Sequence, residues 1–474
     1  MKTFIDFVAK RLVDHPDQVS LEQIPPVELR KEAPMSSPFA SRLLVSVLLL
    51  ACVGANFAGC KKDSSPTGPS GGAGSVINVT GKVIGLNGQS APGLPVFVTG
   101  KPSVNTDANG AFTIASVTVP YDITVVVGAL KQAYIYRGIS RSDPTLMFVG
   151  ATVGSPNTAN ISGKIYPASA FPQPAGRVTN YAFIAAELTG EKGVANGAVS
   201  PATYSESLNW YGATSITGTL HGLQWDIDGS NLPTTYQLYG SRSGIVITNG
   251  GTFSTVNDTM TSTPATVTLS GTVTVSSGYT ILTKAIATQF GGKTAFTLAS
   301  DATPGTAFSF KTPNISGMTL ELMATASSPF AGQTVAYKSG VSPSAANAAL
   351  SIPTAPELSL PVDNATGVRT GAAFSWNAFP GGMHVLYFNG PAGQPEIYVM
   401  TMAANDSLPN LTSAGMPVPA STNYSWHVLG VAPFASMDAA TASTGFLPIG
   451  IFSGVVEGTG SLGNSATRTF TTAP

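Results

Sequence analysis

Ile77-Asn-Val79-Thr-Gly-Lys-Val83, Leu94-Pro-Val96-Phe-Val98 and Ala111-Phe-Thr-Ile114 carry apolar side chains at alternate positions. Period two marks strands that bury one face and wet the other. Before the third run stands Asn105-Thr-Asp107-Ala-Asn109-Gly110. An Asp in such a turn accepts hydrogen bonds from the backbone ahead of it, and a Gly takes positive φ without strain. Alternating runs joined by turns predict a β-sandwich beginning at Val76.

The same grammar continues downstream. Ala159-Asn-Ile-Ser-Gly-Lys-Ile165, Tyr181-Ala-Phe-Ile184, Tyr236-Gln-Leu-Tyr239, Gly244-Ile-Val-Ile247, Ala265-Thr-Val-Thr-Leu269 and Met318-Thr-Leu-Glu-Leu-Met323 read as strands. Turns of Gly, Asn, Ser and Pro separate them at intervals of about 8 to 15 residues, the spacing of sandwiches and barrels. Residues 157–353 are expected to form a central β region of two sandwiches divided near Pro264. Asn160-Ile-Ser-Gly-Lys-Ile165 and Leu269-Ser-Gly-Thr-Val273 echo Val79-Thr-Gly-Lys-Val83, a hint that one kind of opening strand is reused.

Composition agrees. The chain has 474 residues, enough for roughly three domains at about 150 residues each. It holds 51 Gly and 35 Pro, which cut a chain into short segments. Only 10% of residues are charged, yet 43% are hydrophobic and mean hydropathy is +0.20, so the chain folds rather than staying disordered. A net charge of −1 leaves no electrostatic footprint for nucleic acid. The expected class is all-β: a multi-domain chain of β-sandwiches, preceded by a short N-terminal helix, a signal peptide and a flexible tether.

The two cysteines, Cys52 and Cys60, both precede the strands, so no disulfide framework holds the body. Arg42 is followed by an apolar run to Val53, too short for the ~20 residues of a membrane span, and it reads as the core of a signal peptide. The run closes on Phe57-Ala-Gly-Cys60 and then Lys61-Lys-Asp-Ser-Ser-Pro-Thr-Gly-Pro. This segment, 35–60, resembles the signal peptide and lipobox of bacterial lipoproteins, although Phe57 stands where that family has an aliphatic residue. The resemblance implies lipidation of Cys60, a membrane partner through that anchor, and the outer membrane of the bacterial envelope as the address. Leu49-Leu-Ala-Cys52 is a competing site, but the polar tether, 61–75, begins only after Cys60. Upstream, Phe4, Val8 and Leu12 predict a helix ended by His15-Pro16. Residues 1–24 resemble a fragment of bacterial KH-domain proteins but lack the Gly-x-x-Gly loop that clamps RNA there. Translation is expected to start at Met35, leaving 1–34 as an artefact of the gene boundary.

Two more resemblances cover the body. Val79-Thr-Gly-Lys-Val83, Gly93-Leu-Pro-Val96 and Thr106-Asp107-x-x-Gly110-x-Phe112 resemble carboxypeptidase regulatory-like domains, small transthyretin-like sandwiches, assigned here to 76–152. That family uses the turn structurally: Asp caps it, Gly takes positive φ, and Phe returns to the core. A calcium loop is the other reading of Asn105-x-Asp107-x-Asn109-Gly110, but it lacks the closing Glu. At the far end, Pro356-Glu-Leu-Ser-Leu-Pro361, Asn364-Ala-Thr-Gly367, Phe374-Ser-Trp376, Tyr424-Ser-Trp426-His-Val428 and Thr467-Arg-Thr-Phe-Thr-Thr472 resemble a fibronectin type III-like domain over 354–474. Insertions at about 389–420 and 433–462 interrupt that pattern. The resemblance implies that Trp376 and Trp426 lie in the core on facing sheets; His427, next to Trp426 on the alternate strand face, is expected to be exposed.

Chemistry-bearing motifs are scarce. The one Gly-x-Ser-x-Gly, Gly68-Pro-Ser70-Gly-Gly72, lies in the tether with no strand or helix around it. The histidines His15, His221, His384 and His427 fall in separate segments, and no metal site, cofactor or catalytic set is expected. Trp225-Asp226-Ile-Asp228 puts two acids on one strand face, a pair that glycoside hydrolysis could use and an Asp-Gly turn explains as well. The binding candidates are aromatic: Trp210, Tyr211, Trp225, Tyr236 and Tyr239 sit among Asn, Ser, Thr and Gln, a mixture suited to sugars or to a core. The leading expectation is a non-catalytic interaction or structural lipoprotein, with a polysaccharide or surface protein as partner. A glycan-binding lipoprotein using these aromatics is the second reading, and a secreted enzyme with an unrecognised site the third.

Overall fold

The computed structural model describes residues 74–85, 87–148, 153–167, 176–186, 192–193, 202–329, 332–445 and 458–474. The N-terminal helix, the signal segment, Cys52, Cys60 and nearly all of the tether lie outside them. What is described is mostly strand, with one α-helical turn at Met437–Ala440, here α1, and two 3-10 turns at Gly128–Leu130 and Thr412–Ala414.

Module one contains β1 (Val76–Ile84), β2 (Pro95–Val98), β3 (Val104–Asn105), β4 (Ala111–Thr118), β5 (Tyr121–Val127), β6 (Gln132–Ile139) and β7 (Thr145–Met147). Module two contains β8 (Asn157–Pro167), β9 (Arg177–Ala185), β10 (Lys192–Gly193), β11 (Ala202–Trp210), β12 (Ser215–Ile227), β13 (Pro233–Thr248), β14 (Thr252–Phe253) and β15 (Asp258–Met260). Module three contains β16 (Ala265–Val275), β17 (Thr280–Phe290), β18 (Lys293–Asp301), β19 (Ala307–Asn314), β20 (Met318–Ser328), β21 (Gly332–Val341) and β22 (Ala348–Ile352). Module four contains β23 (Leu358–Leu360), β24 (Ala365–Val368), β25 (Ala373–Trp376), β26 (Met383–Asn389), β27 (Glu396–Thr401), β28 (Asn405–Ser407), β29 (Asn423–Ala432), β30 (Thr459–Asn464) and β31 (Arg468–Thr472).

The first three modules share one topology. In each, the opening strand is the centre of a small sheet, antiparallel to the fourth strand and parallel to the last: β4-β1-β7, β11-β8-β14 with β15 also on β8, and β19-β16-β22. The facing sheets run β3-β2-β5-β6, β10-β9-β12-β13 and β18-β17-β20-β21. The short echo in the sequence marks the middle of each opening strand. Its glycines, Gly81, Gly163 and Gly271, lie opposite Phe112, Tyr204 and Phe308. A Cβ on Gly163 would stand 2.1 Å from the Val256 carbonyl oxygen, and one on Gly271 only 1.8 Å from that of Ala348. On Gly81 it would meet Phe112 Cζ at 2.3 Å and the Pro144 oxygen at 2.7 Å. In all three the glycine is there because the returning segment presses onto it, and at Gly81 and Gly271 a cross-strand ring does so too.

Module four pairs β23-β25-β28 in one sheet, against β27-β26-β29 with β30 and β31 in the other. Trp376 and Trp426 are buried on these facing sheets in one core with Phe374, Phe388 and Phe470. His427 departs from expectation: it is half-buried, edge-on to Tyr387 at 5.1 Å.

Separately stacked sandwiches would each keep their own sheet edges. Here a fourteen-stranded sheet runs β18-β17-β20-β21-β30-β29-β26-β27-β6-β5-β2-β3, with β31 joined to β29 and β24 to β31, so the last module in sequence is the middle one in space. β27 pairs in parallel with β6 over Glu396–Met400 and Gln132–Tyr136. β30 pairs antiparallel with β21 over Thr459–Asn464 and Gln333–Lys338. β27 falls in the segment 389–420 and β30 begins in the segment 433–462, the two that interrupt the fibronectin-like pattern.

Candidate functional site

The five aromatics do not form an exposed platform. Trp210 ends β11 with 0% of its surface exposed, and its Nε1 donates to the Ala213 carbonyl at 2.6 Å. Trp225 on β12 is 3% exposed and Tyr236 on β13 is 1% exposed. Rings so covered offer no face to a sugar, and that reading of Trp210, Trp225 and Tyr236 is corrected. Tyr211 and Tyr239 are half-buried. The alternation that puts a ring on one strand face says nothing of what lies opposite; for Trp210 it is the core of its own module, and for Trp225 and Tyr236 it is another module.

Trp225 and Tyr236 belong to the core of module three rather than to their own, together with Leu223 and Ala182. The Tyr236 hydroxyl donates to the Lys311 carbonyl on β19 at 3.0 Å, and its backbone N–H donates to Thr266 Oγ1 on β16 at 3.0 Å. Burial pushes the Tyr236 phenol well above its ordinary pKa. Beside it, His221 stacks on Phe290 of β17 at 4.1 Å, with its Nδ1 3.0 Å from the Tyr239 hydroxyl. Tyr239 lies parallel to Phe290 at 6.0 Å. Burial pulls His221 from 6.5 down to about 4, so the ring is neutral at pH 7 and packs as an aromatic. Lys293 completes this joint, its ammonium donating to the Ala185 and Ala186 carbonyls of module two.

The joint between modules one and four has a different chemistry. Side chains alternate across the shared sheet: Tyr134, Tyr136 and Met400 face one core, and Ala133, Ile135, Ile397 and Val399 face the other. The small sheet of module one therefore lies over one face and β23-β25-β28 over the opposite face. Both faces being buried explains why Gln132–Tyr136 and Ile397–Met400 read as near-continuous apolar runs. In register across four strands, Tyr134 stacks on Tyr398 at 4.7 Å, Tyr398 on Tyr387 at 4.6 Å, and Tyr387 meets His427. Polar groups trim the rim. Gln132 Nε2 donates to Glu396 Oε2 at 2.8 Å, and the Tyr134 hydroxyl to Gln132 Oε1 at 2.7 Å. Arg137 grips Asp406 of β28 through Nε and Nη2 at 3.1 and 3.0 Å, while its Nη1 donates to Asp122 of β5 at 2.8 Å. Asp438 of α1 accepts from the Ser140 and Arg141 backbone N–H groups at 2.7 and 3.0 Å.

The acids singled out in the sequence are structural. Asp226 holds Arg177 in a two-point ion pair, Nε at 2.7 Å and Nη2 at 3.0 Å, and also accepts from Gln237 at 2.7 Å. The Arg177 hydrogen bond, foremost, holds its carboxyl below the usual range. Asp228 caps its turn by accepting from the Ser230 and Leu232 N–H groups. Asp107 Oδ1 likewise accepts from Asn109 and Ala111, both at 2.8 Å, with Gly110 at φ 71° and Phe112 in the core. Among the described residues no three His, Cys, Asp or Glu side chains converge as a metal cluster would.

Neither a protein-family model nor a curated protein matches this chain. The likenesses to solved structures are loose. The TIE protein of Bacillus anthracis is 10% identical, over 56% of this chain and 46% of that one, with a TM-score of 0.14. The FN1-FN3 domains of chicken CNTN1 are 11% identical, over 68% and 100%, with a TM-score of 0.15. The pilus adhesin SpaC of Lactobacillus rhamnosus GG is 9% identical, over 59% and 44%, with a TM-score of 0.14. This chain spans less than half the length of the first and last of these. At such TM-scores the neighbours assign no function, and the case rests on the joints themselves.

What the sequence reading missed is the partners of β6, β21 and Trp225. A signal existed for one of them, the unbroken apolar runs at Tyr134-Ile-Tyr136 and Ile397-Tyr-Val-Met400. None existed for β21 and β30, whose pairing is carried by backbone groups that every residue has.

Proposed function

We propose that this protein is a non-catalytic interaction or structural platform, lipid-anchored through Cys60 at the bacterial envelope, with a surface protein as its partner. One observation carries the reading: modules one, four and three share a single sheet, and module two is fastened to module three by a buried aromatic joint. Shared cores between modules one and four and between two and three, with the β21–β30 ladder between three and four, make the modules one stiff body. A stiff body holds its loops at fixed separations, which suits recognition better than a flexible string would. The capped turn at Asp107 supports a carboxypeptidase regulatory-like module one, and the two-sheet order of β23–β31 supports a fibronectin type III-like module four.

The anchor is tested by feeding cells an alkyne-tagged palmitate and separating envelope from soluble protein. Wild-type protein and Cys52→Ala are expected to carry label and to sediment with the envelope. Cys60→Ala is expected to be unlabelled and soluble. Label on Cys60→Ala, or none on wild type, would overturn the proposal.

A further inference from the structure

We infer that the outer edge of β13 is where a second copy of this chain docks, two β13 strands pairing antiparallel about Val246. The three modules of shared topology have the same edge in their sixth strands, β6, β13 and β21. In modules one and three that edge is closed by strand addition, β27 on β6 and β30 on β21. Module four uses both of its flanking strands for this. Among the described residues no strand ladders with the outer edge of β13, which meets the Tyr239–Ser262 bridge and the Tyr236 N–H bond to Thr266 in its first half and is left unpaired over Gly244–Thr248.

β13 is also the longest of the three sixth strands, at 16 residues against 8 for β6 and 10 for β21. Its last third, Gly244-Ile-Val-Ile-Thr248, contains no charge and no Pro. Natural edges are kept single by such residues, and a bare β-branched edge is a template for another strand. Ile245 and Ile247 point into module two, whereas Val246 is 53% exposed. The Ile-Val-Ile order reads alike in both directions. A two-fold axis through Val246 sets each Ile245 opposite the partner's Ile247 in pattern and places Val246 against its own copy, hiding both exposed methyl pairs. No like charges oppose one another in that arrangement.

The cysteine-free body provides the test. Two residues directly opposite in an antiparallel pair have Cα atoms about 4.5–5.5 Å apart, within disulfide range. Full-length Val246→Cys, oxidised mildly in isolated membranes, is expected to give a disulfide-linked species of twice the monomer mass on a non-reducing gel. Val362→Cys, 62% exposed on module four, is expected to give at least tenfold less. Val246→Lys, sedimented in detergent, is expected to be monomeric where wild type is dimeric. Equal cross-linking at both positions, cross-linking of Val246→Cys to a different protein, a monomeric wild type, or a dimer that survives Val246→Lys would each overturn the inference.

Discussion

Gly271→Ala tests the packing rule behind the repeated fold. The added methyl would stand 1.8 Å from the Ala348 carbonyl oxygen and 2.7 Å from both the Ala348 carbonyl carbon and Phe308 Cζ. The ring can turn aside, but the carbonyl belongs to β22 and cannot move without the strand. Ordinary contact needs well over 3 Å, so β22 must retreat from β16 by more than an ångström. Overpacking of this kind costs about 1–3 kcal/mol. Two or three of the parallel ladder bonds between Gly271–Val275 and Ala348–Ile352 weaken with it, at about 1 kcal/mol each. The expected loss is about 3–6 kcal/mol, a large part of a domain's ~5–15 kcal/mol. Hydrogen exchange followed by mass spectrometry reads it locally, as faster exchange in peptides covering 265–275 and 345–352. Gly305→Ala is the control, because nothing lies within 4 Å of its Cβ and its φ is ordinary; it is expected within about 0.5 kcal/mol of wild type. Gly163→Ala should resemble Gly271→Ala, and Gly81→Ala should be milder, since its nearest obstacle is a ring. Indistinguishable Gly271→Ala and Gly305→Ala would refute the rule.

Trp210→Ala is expected to destabilise module two by about 3–5 kcal/mol, seen as a lowered urea midpoint, because a buried indole leaves a cavity; unchanged stability would return the ring to the surface. His221 and His384 are both held at about 4 by burial, against 6.5 when free. Between those values the unfolded chain binds more protons than the folded one, so stability is full above about pH 7 and falls as pH drops toward 4, by up to about 3 kcal/mol per histidine. Urea unfolding of His221→Gln with His384→Gln should show a flatter pH slope, and an unchanged slope would exclude these rings as its source. Arg137→Met should loosen the joint between modules one and four by about 1–2 kcal/mol, read as faster limited proteolysis, with Arg137→Lys restoring little because it loses the two-point grip on Asp406.

Period-two runs, Gly and Pro punctuation and a capped Asp-Gly turn were enough to establish an all-β chain, because those signals are local and act through each residue's own backbone and its near neighbours. The thrice-used Thr/Ser-Gly pair was visible too, and its meaning as a point of close strand approach followed once the returning segment was seen against it. Which edge joins which was decided only by tertiary structure. β6 meets β27 across more than 250 residues of chain, through N–H and C=O groups common to all sequences. Trp225 and Tyr236 show the same limit from the side-chain direction: an aromatic on one strand face is a binding platform if water lies opposite and a joint if another sandwich does. Local pattern assigns the face; only the global fold supplies what covers it.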